Sequence, residues 1–210
     1  MSQIPLYPRL AETVTATIGE FSQIAEERKA SLRKFVSFVN QQIAAGNTAR
    51  VTFICTHNSR RSHMAQIWAQ TAAAYYNVPG VETFSGGTEA TAFNPRAAAA
   101  LKRAGFSIEA GGQGSNPVYR VRYVDTSDTM EAFSKVYDQP PNPTSDFAAV
   151  MTCSEADAAC PLVIGATERI PITYEDPKAF DGTDLEMEAY DRRCRQIARE
   201  MLFVFSQVRS

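Results

Sequence analysis

The segment from Cys55 to Ser62 combines a nucleophile, backbone donors and a cation in one short loop, Cys-Thr-His-Asn-Ser-Arg-Arg-Ser. Attack on a tetrahedral oxyanion needs all three in one place. The nucleophile attacks the central atom, the donors bind the equatorial oxygens, and the cation balances the negative charge. Cys55 is the candidate nucleophile, and Arg61 can bind two oxygens at once through its planar guanidinium. The residues expected to surround the anion are Thr56, His57, Asn58, Ser59, Arg60, Arg61 and Ser62. The Cys-x5-Arg spacing therefore predicts an oxyanion-binding loop.

The place of this loop in the chain strengthens the prediction. Residues 51–54 are an apolar run typical of a buried strand, and residues 64–75 carry apolar side chains at helical spacing. A loop between a strand and a helix N-terminus presents N–H groups and partial positive charge to an anion. The same field favours the Cys55 thiolate, to which the Ser62 hydroxyl could donate a hydrogen bond. Asn58 tolerates the left-handed backbone that a tight cradle needs. The alternative is an inert, buried cysteine at a strand end.

The elements that must position this loop alternate between strand and helix. The predicted strands cover residues 51–54, 81–85, 147–152 and 169–172, and the later helices cover residues 94–103 and about 185–208. This pattern predicts an α/β fold with a doubly wound, mainly parallel four-stranded sheet and helices on both faces. Ligands of such sheets bind beyond the carboxyl ends of the strands. Cys55 and Cys153 each follow a strand, so both fall at that edge.

Two regions lie outside this core. Residues 8–46 carry two apolar stripes at helical spacing, interrupted near Ser22. We expect residues 1–48 to form a helical extension packed on an α/β domain of residues 49–210. Within that domain, residues 110–146 are less regular and are interpreted as an insertion, with an added strand near 118–124. The extension carries no evident chemistry, so we expect it to serve packing or a homodimer.

The composition limits the function classes. The chain has 210 residues, 44% hydrophobic and 21% charged, which is enough to bury a core. A net charge of −2 argues against nucleic acid as the main partner. No apolar run is long enough to span a bilayer and no signal-peptide pattern is present, so we expect a cytoplasmic protein with no membrane partner.

The four cysteines are more typical of thiol chemistry or metal binding than of structural disulfides in such a compartment. Tetrahedral zinc sites use close ligand pairs of the Cys-x2-Cys kind, and the closest pair here is Cys55 with His57. We therefore expect no metal and no cofactor. Cys194 falls on the inward face of the last helix and is interpreted as a core residue.

Several segments together resemble one enzyme superfamily. The loop from Cys55 to Ser62 looks like the signature loop that low-molecular-weight protein tyrosine phosphatases share with thioredoxin-coupled arsenate reductases. The later segments that match are Ser85-Gly86-Gly87-Thr88 with Asn94-Pro95, Val150-Met151-Thr152-Cys153, and Tyr174-Glu175-Asp176-Pro177. The resemblance covers about residues 50–110 and 146–208, and leaves the N-terminal helices and most of the insertion outside.

The resemblance implies a relay of three cysteines. Cys55 would form a covalent adduct with arsenate, and Cys153 would then attack so that arsenite leaves and a Cys55–Cys153 disulfide forms. Cys160 would attack Cys153 and pass the disulfide to thioredoxin. Cys153 and Cys160 have the spacing of the reductase pair. Because hydrolysis of a phosphate ester needs no second thiol, this pair favours the reductase over the phosphatase.

The spacing of Cys153 and Cys160 sets a geometric condition. Residues seven apart on an intact helix lie about 10 Å apart along its axis, whereas a disulfide needs Cα atoms within roughly 7 Å. We therefore expect residues 154–159 to be a loop or to unwind during the reaction, with Asp157 and Pro161 as the residues that disfavour an intact helix.

Expulsion of the leaving oxygen needs a proton donor, and a carboxylic acid with a raised pKa suits this role. The resemblance implies Asp176 as that acid, in an Asp-Pro turn over the pocket. Glu175 and Asp181 are the fallback candidates. On the bare sequence, Asp176 reads as an ordinary solvated residue before a proline.

Three residues depart from the superfamily pattern. His57 stands where a small residue, often Gly, is usual. Arg60 stands where many members have a cysteine, and adds charge at the pocket mouth. Gln66 stands where the reductases carry a Glu near a monovalent-cation site, which argues against a potassium effect.

Three hypotheses of function follow. The leading one is reduction of arsenate through Cys55, Cys153 and Cys160, with thioredoxin as the candidate reductant. The first alternative is hydrolysis of phosphate monoesters through a phosphocysteine at Cys55, as in the low-molecular-weight tyrosine phosphatases. The second alternative is a non-catalytic oxyanion-binding or redox-sensing module.

Overall fold

The computed structural model of the chain describes residues 4–126, 129–160 and 162–209, so Pro161 lies outside it. The helices are α1 (Pro8–Ile18), α2 (Glu26–Ala44), α3 (Arg61–Tyr75), α4 (Pro95–Ala104), α5 (Ser154–Ala159) and α6 (Glu186–Ser206). The strands are β1 (Ala49–Cys55), β2 (Val81–Gly87), β3 (Ser107–Gly111), β4 (Val118–Arg122), β5 (Met130–Ala132), β6 (Phe147–Met151) and β7 (Ala166–Pro171). Within the described ranges, no helix is both long enough and apolar enough to cross a membrane.

A parallel sheet with the strand order β2-β1-β6-β7 forms the centre of the fold. Its middle strands send alternate side chains to opposite faces, as the two-residue period of a strand requires. Val51 and Phe53 of β1 join the large core beneath the helices, whereas Ile54 joins a smaller cluster with Ala156 of α5. This arrangement confirms the predicted α/β fold with a four-stranded parallel sheet.

The strand register brings three strand ends together at one edge. Cys55 pairs with Gly87 at the end of β2, and Ile54 pairs with Met151 at the end of β6. The loop that follows β1 therefore begins beside the segment that follows β6. This is the edge at which parallel sheets bind their ligands.

The strands β3, β4 and β5 form a second, antiparallel sheet, which begins at Ser107, before the predicted insertion of residues 110–146. Its β4 confirms the added strand predicted near residues 118–124. After β5 the chain returns to the edge of β2, where Val136 forms a parallel bridge with Gly87. A Cβ at Gly86 would lie 2.3 Å from the Cα of Tyr137, so only glycine permits this close approach.

The N-terminal helices pack on the last helix. Leu10 and Val14 of α1, and Leu32 and Phe35 of α2, are fully buried in the same core as α6. The break between α1 and α2 falls at a 3₁₀ turn, Phe21–Gln23, close to the predicted interruption at Ser22. The apolar stripes of the extension are thus buried within the chain.

The segment between Cys153 and Cys160 is a helix, and the prediction that it is already a loop is wrong. Cys153 is the N-cap residue of α5, and Cys160 is its C-cap. The alanines of the segment favour a helix, and the acidic residues of its first turn complement the helix dipole. The alternative in which this segment unwinds during a reaction stays a prediction.

Candidate active site

Asn58 shapes the loop that follows β1. It is fully buried and has a φ of +44°, the left-handed backbone anticipated at this position. Its side-chain amide donates a hydrogen bond to the Ser62 oxygen at 2.9 Å, and its carbonyl oxygen accepts one from the backbone N–H of Lys135 at 3.0 Å. Asn58 therefore ties the start of α3 and the insertion to the same turn.

The Cys55 sulfur lies at the floor of this loop and is 3.1 Å from the Ser62 hydroxyl oxygen. Because that oxygen already accepts a hydrogen bond from Asn58, its own hydrogen is free to point toward the sulfur. Cys55 is only 4% exposed, and α3 begins at Arg61, so the helix N-terminus faces the same space. The Ser62 hydroxyl and the first turn of α3 therefore both face the candidate nucleophile.

Arg61, which lines the same cavity as Cys55, is held by two hydrogen bonds. One terminal nitrogen donates to the carbonyl oxygen of Tyr174 at 2.7 Å, and the other donates to Oδ2 of Asp176 at 2.9 Å. The Arg61 Nε is buried and has no hydrogen-bond partner in the described part of the chain. Since buried N–H groups normally have partners, this nitrogen is a donor available to an anion.

The space between these groups is small. A cavity of about 10 Å³ is lined by Cys55, His57, Ser59, Arg60, Arg61 and Asp176. That volume holds about one water molecule, so a tetrahedral oxyanion needs Arg61 and Asp176 to move apart. A larger cleft of about 510 Å³ adjoins Arg61 and runs between Glu155 of α5 and Arg193 of α6.

Asp176, the predicted acid, lies at the cavity wall but is held as an anion. Arg60 contacts both of its oxygens, Nε to Oδ1 at 2.9 Å and a terminal nitrogen to Oδ2 at 3.2 Å. The backbone N–H of Lys178 donates to Oδ1 at 3.0 Å. Burial raises the pKa of Asp176, but the hydrogen bonds from Arg60 and Lys178 and the charges of Arg60 and Arg61 outweigh burial, and the net pKa is lowered. The raised pKa that suits a proton donor is therefore absent in this arrangement.

The two fallback acids are placed differently. Glu175 is exposed and pairs with Arg193 at 3.3 Å. Asp181 accepts a hydrogen bond from the Tyr190 hydroxyl at 2.8 Å. Of the three acids, Asp176 is the one that lines the cavity.

Cys153 adjoins the loop of Cys55. Its sulfur is 3.5 Å from the Thr56 hydroxyl oxygen, and it accepts a hydrogen bond from the backbone N–H of Ala156 at 3.3 Å. Burial raises the pKa of the Cys153 thiol, against the opposing effects of Thr56 and Ala156. All four cysteines are free thiols.

Cys160 is partly exposed at the far end of α5, and Arg169 holds that end in place. The Arg169 Nε donates to the carbonyl oxygen of Cys160 at 3.0 Å, and its terminal nitrogen binds both the backbone oxygen and the carboxylate of Asp157. Cys160 is therefore separated from Cys153 by the helix α5, whose C-terminal end is held by hydrogen bonds from Arg169. Cys194 is buried in the core, where the Trp68 indole donates to its sulfur, as expected.

The insertion supports the loop through residues that the sequence analysis missed. The Ser134 hydroxyl donates to the carbonyl oxygen of His57 at 2.8 Å. Asn116 fixes Ser134 by accepting its backbone N–H and donating to its carbonyl oxygen. The local sequence does not predict these contacts, because Asn and Ser are common in irregular segments.

The departures from the superfamily pattern have defined contacts. His57 lies on the rim, with its Nε2 2.9 Å from a carboxylate oxygen of Glu89. The Gln66 side chain donates to the carbonyl oxygen of Thr83. Among the described residues, no group of three or more His, Cys, Asp or Glu side chains is placed to hold a metal ion.

Comparisons with known proteins place the chain in a family. A sequence model of the family described as low molecular weight phosphotyrosine protein phosphatase matches residues 50–125. An arsenate reductase of Halalkalibacterium halodurans is 29% identical over 161 residues, covering 77% of this chain and 97% of the relative. Arsenate reductase 2 of Staphylococcus epidermidis is 31% identical over 129 residues, covering 60% of this chain and 77% of the relative. These relatives are enzymes.

Comparison with solved structures shows which fold the chain shares. A crystal structure of a YwlE mutant from Bacillus subtilis aligns with a TM-score of 0.52 and 13% identity. The alignment covers 76% of this chain and 98% of that chain. At this level of identity the likeness shows the shared fold.

Proposed function

This chain belongs to the superfamily of low-molecular-weight phosphotyrosine protein phosphatases and arsenate reductases, and on that premise we propose that it reduces arsenate to arsenite in the cytoplasm. The observation that carries the proposal is the place of Cys153. Its sulfur contacts the side chain of Thr56, the residue next to Cys55. A phosphatase has no use for this second thiol, whereas a two-electron reduction requires it.

In the first step the loop binds arsenate. The backbone N–H groups and the free Arg61 Nε serve its oxygens. The Cys55 thiolate attacks arsenic, a sulfur–arsenic bond forms, and one arsenic–oxygen bond breaks as that oxygen leaves as water. Arsenic stays in its pentavalent state at this point.

In the second step the Cys153 thiolate attacks the sulfur of Cys55. A disulfide forms, and the electron pair of the sulfur–arsenic bond passes to arsenic, which leaves as trivalent arsenite. Burial opposes ionisation of Cys153, so the hydrogen bonds from Thr56 and from the Ala156 N–H assist this step. Two thiols are oxidised for each arsenate reduced, and the electrons balance.

In the third step Cys160 attacks Cys153 and releases Cys55. The two cysteines cap opposite ends of α5, so this helix must unwind before their sulfurs can meet. The Cys153–Cys160 disulfide then lies at the partly exposed end, where a cytosolic dithiol protein of the thioredoxin class can reduce it.

Thiol counting under anaerobic conditions tests the proposal. The reduced protein should lose two thiols per chain on addition of arsenate, with one arsenite formed for every two thiols lost. Cys160→Ser should still lose two thiols but fail to turn over with thioredoxin. Cys153→Ser should give no arsenite, and arsenite production by this variant would refute the relay.

A further inference from the structure

The carboxylate of Asp176 accepts hydrogen bonds on both oxygens, which is unsuited to a group that must carry and donate a proton. Arg60, Arg61 and the Lys178 N–H together direct four hydrogen bonds at its two oxygens. The Arg60 contact is the two-point arrangement in which both partners are planar and charged. Arg60 itself is only 8% exposed. Such a group is a poor proton donor, because every contact stabilises its ionised form.

We propose that Arg60 determines substrate class: by holding Asp176 as a carboxylate, it restricts this site to oxyanions that supply both protons of their departing water themselves. This role rests on the proposed function of the same site. Arsenate in its singly charged form, with two hydroxyl groups, meets the condition. The doubly charged phosphate monoester that predominates at neutral pH carries no proton and does not.

The two arginines differ in what they do when an anion binds. Arg61 lies in the oxyanion loop and its donors turn to the anion, so its single contact to Asp176 can be given up. Arg60 keeps both of its contacts, because they run to Asp176 alone. The ionisable groups around this pair include Tyr190 and Asp181, which are hydrogen-bonded to each other. Cys55 and His57 line the same cavity, and Glu155 lies 3.8 Å from Arg61. Arg60 is thus the cation that stays with Asp176 in the occupied site.

The difference between the substrates is a matter of proton balance. When a thiolate displaces water from singly charged arsenate, both protons of the departing water come from the arsenate itself. When a thiolate attacks a phosphate monoester, the phosphorus–oxygen bond breaks and an alkoxide or phenoxide departs. That oxygen carries no proton and needs one from an acid of the protein. An ionised Asp176 cannot supply it.

The leaving-group dependence of ester hydrolysis tests this role. Phenol has a pKa near that of tyrosine, about 10, whereas 4-nitrophenol is more acidic and departs without help. The unmodified protein should therefore hydrolyse phenyl phosphate far more slowly than 4-nitrophenyl phosphate. Arg60→Gln should raise kcat/KM for phenyl phosphate at neutral pH by about tenfold, since each pKa unit regained by Asp176 multiplies its protonated fraction by ten. It should also narrow the difference in kcat/KM between the two esters and move the alkaline limb of the pH profile for phenyl phosphate upward, since that limb reports the loss of the proton from the acid.

Matched variants separate this role from a general loss of charge or of folding. Arg193→Gln removes a cation from the neighbouring cleft without touching Asp176, and should leave the gap between the esters as it is. Arg60→Lys keeps the charge but not the two-point contact. Its difference in kcat/KM between the two esters should lie between those of the unmodified protein and of Arg60→Gln. Adding Asp176→Asn to Arg60→Gln should abolish the gain.

Equal effects of Arg60→Gln on both esters, or a gain that survives Asp176→Asn, would overturn the role of Arg60. Arsenate-dependent thiol loss is measured separately in the unmodified protein. Thiol loss without an ester gain in Arg60→Gln would leave the reductase standing and remove the role of Arg60. An ester gain without thiol loss would remove the reductase and leave the effect of Arg60 on the acid.

Discussion

The Ser62 hydroxyl stands between Asn58 and Cys55, accepting a hydrogen bond from the amide at 2.9 Å and lying 3.1 Å from the sulfur. The amide fixes which way the hydroxyl hydrogen points, so the sulfur receives it. A hydrogen bond of this kind to a charged group contributes about 1.5–3 kcal/mol. We therefore expect the reactivity of Cys55 to depend on Ser62 and, through it, on Asn58.

Ser62→Ala should slow alkylation of Cys55 by iodoacetamide at neutral pH by about tenfold or more, because the thiolate loses its donor. The rate is followed by mass spectrometry of the Cys55 peptide. Ser62→Thr keeps a hydroxyl and should retain most of the rate. Equal slowing in both variants would show that packing at residue 62, and not the hydrogen bond, controls the sulfur.

Arg169→Gln should speed formation of the Cys153–Cys160 disulfide several-fold, because it releases the end of α5 from its contacts with Asp157 and Cys160. The step can be followed by quenching with alkylating agent after arsenate addition and mapping the disulfides over time. Glu168→Gln, which changes an exposed neighbour on the same strand, is the control. An unchanged rate in Arg169→Gln would mean that unwinding of α5 does not limit this step.

Ser134→Ala should weaken binding of inorganic phosphate by roughly fivefold, since the loop loses a hydrogen bond worth about 1 kcal/mol at the His57 carbonyl. Calorimetric titration measures the change. Ser145→Ala removes an exposed serine whose hydroxyl contacts Asp146, and should bind phosphate as the unmodified chain does. Identical affinity of Ser134→Ala and the unmodified protein would contradict the supporting role of the insertion.

His63 should make the fold less stable in acid. Burial, assisted by the nearby charge of Lys135, lowers the pKa of His63 from 6.5 to about 3. Between these values the unfolded chain binds a proton that the folded chain does not, so stability falls as the pH falls, by up to roughly 1.4 kcal/mol per pH unit. Urea unfolding from about pH 6.5 down to about pH 4 measures the slope.

His63→Gln should flatten that slope, because glutamine does not titrate. The surface variant His57→Gln should keep it. A slope that persists unchanged in His63→Gln would assign the acid sensitivity to carboxylates instead.

Sequence alone was sufficient for the features that are local in the chain. The Cys-x5-Arg spacing, the apolar run of β1 and the helix after it are contiguous, and the left-handed Asn58 follows from its residue type. The order of strands and helices was sufficient for the parallel sheet, and hence for the shared edge of Cys55 and Cys153.

What the sequence could not supply are contacts between distant segments. Arg60 and Asp176 are 116 residues apart, and nothing near either of them indicates that they pair. The same holds for Ser134 and His57, 77 residues apart. The sequence also does not decide between a loop and a helix that unwinds at α5, because the geometric condition on its two cysteines opposes the helix propensity of its alanines.

The bridge between Gly87 and Val136 bears on how an active molecule arises during synthesis. The strands β1 and β2 and the helix between them can form early, because their contacts span short stretches of chain. The backbone of Lys135 reaches Asn58 only across 77 residues, and closing so long a loop comes late. A nascent chain that has emerged only as far as β4 would thus hold its reactive cysteine in an unfinished cradle. We expect chemical competence to be acquired late, only after the returning segment has closed against Gly86 and Gly87.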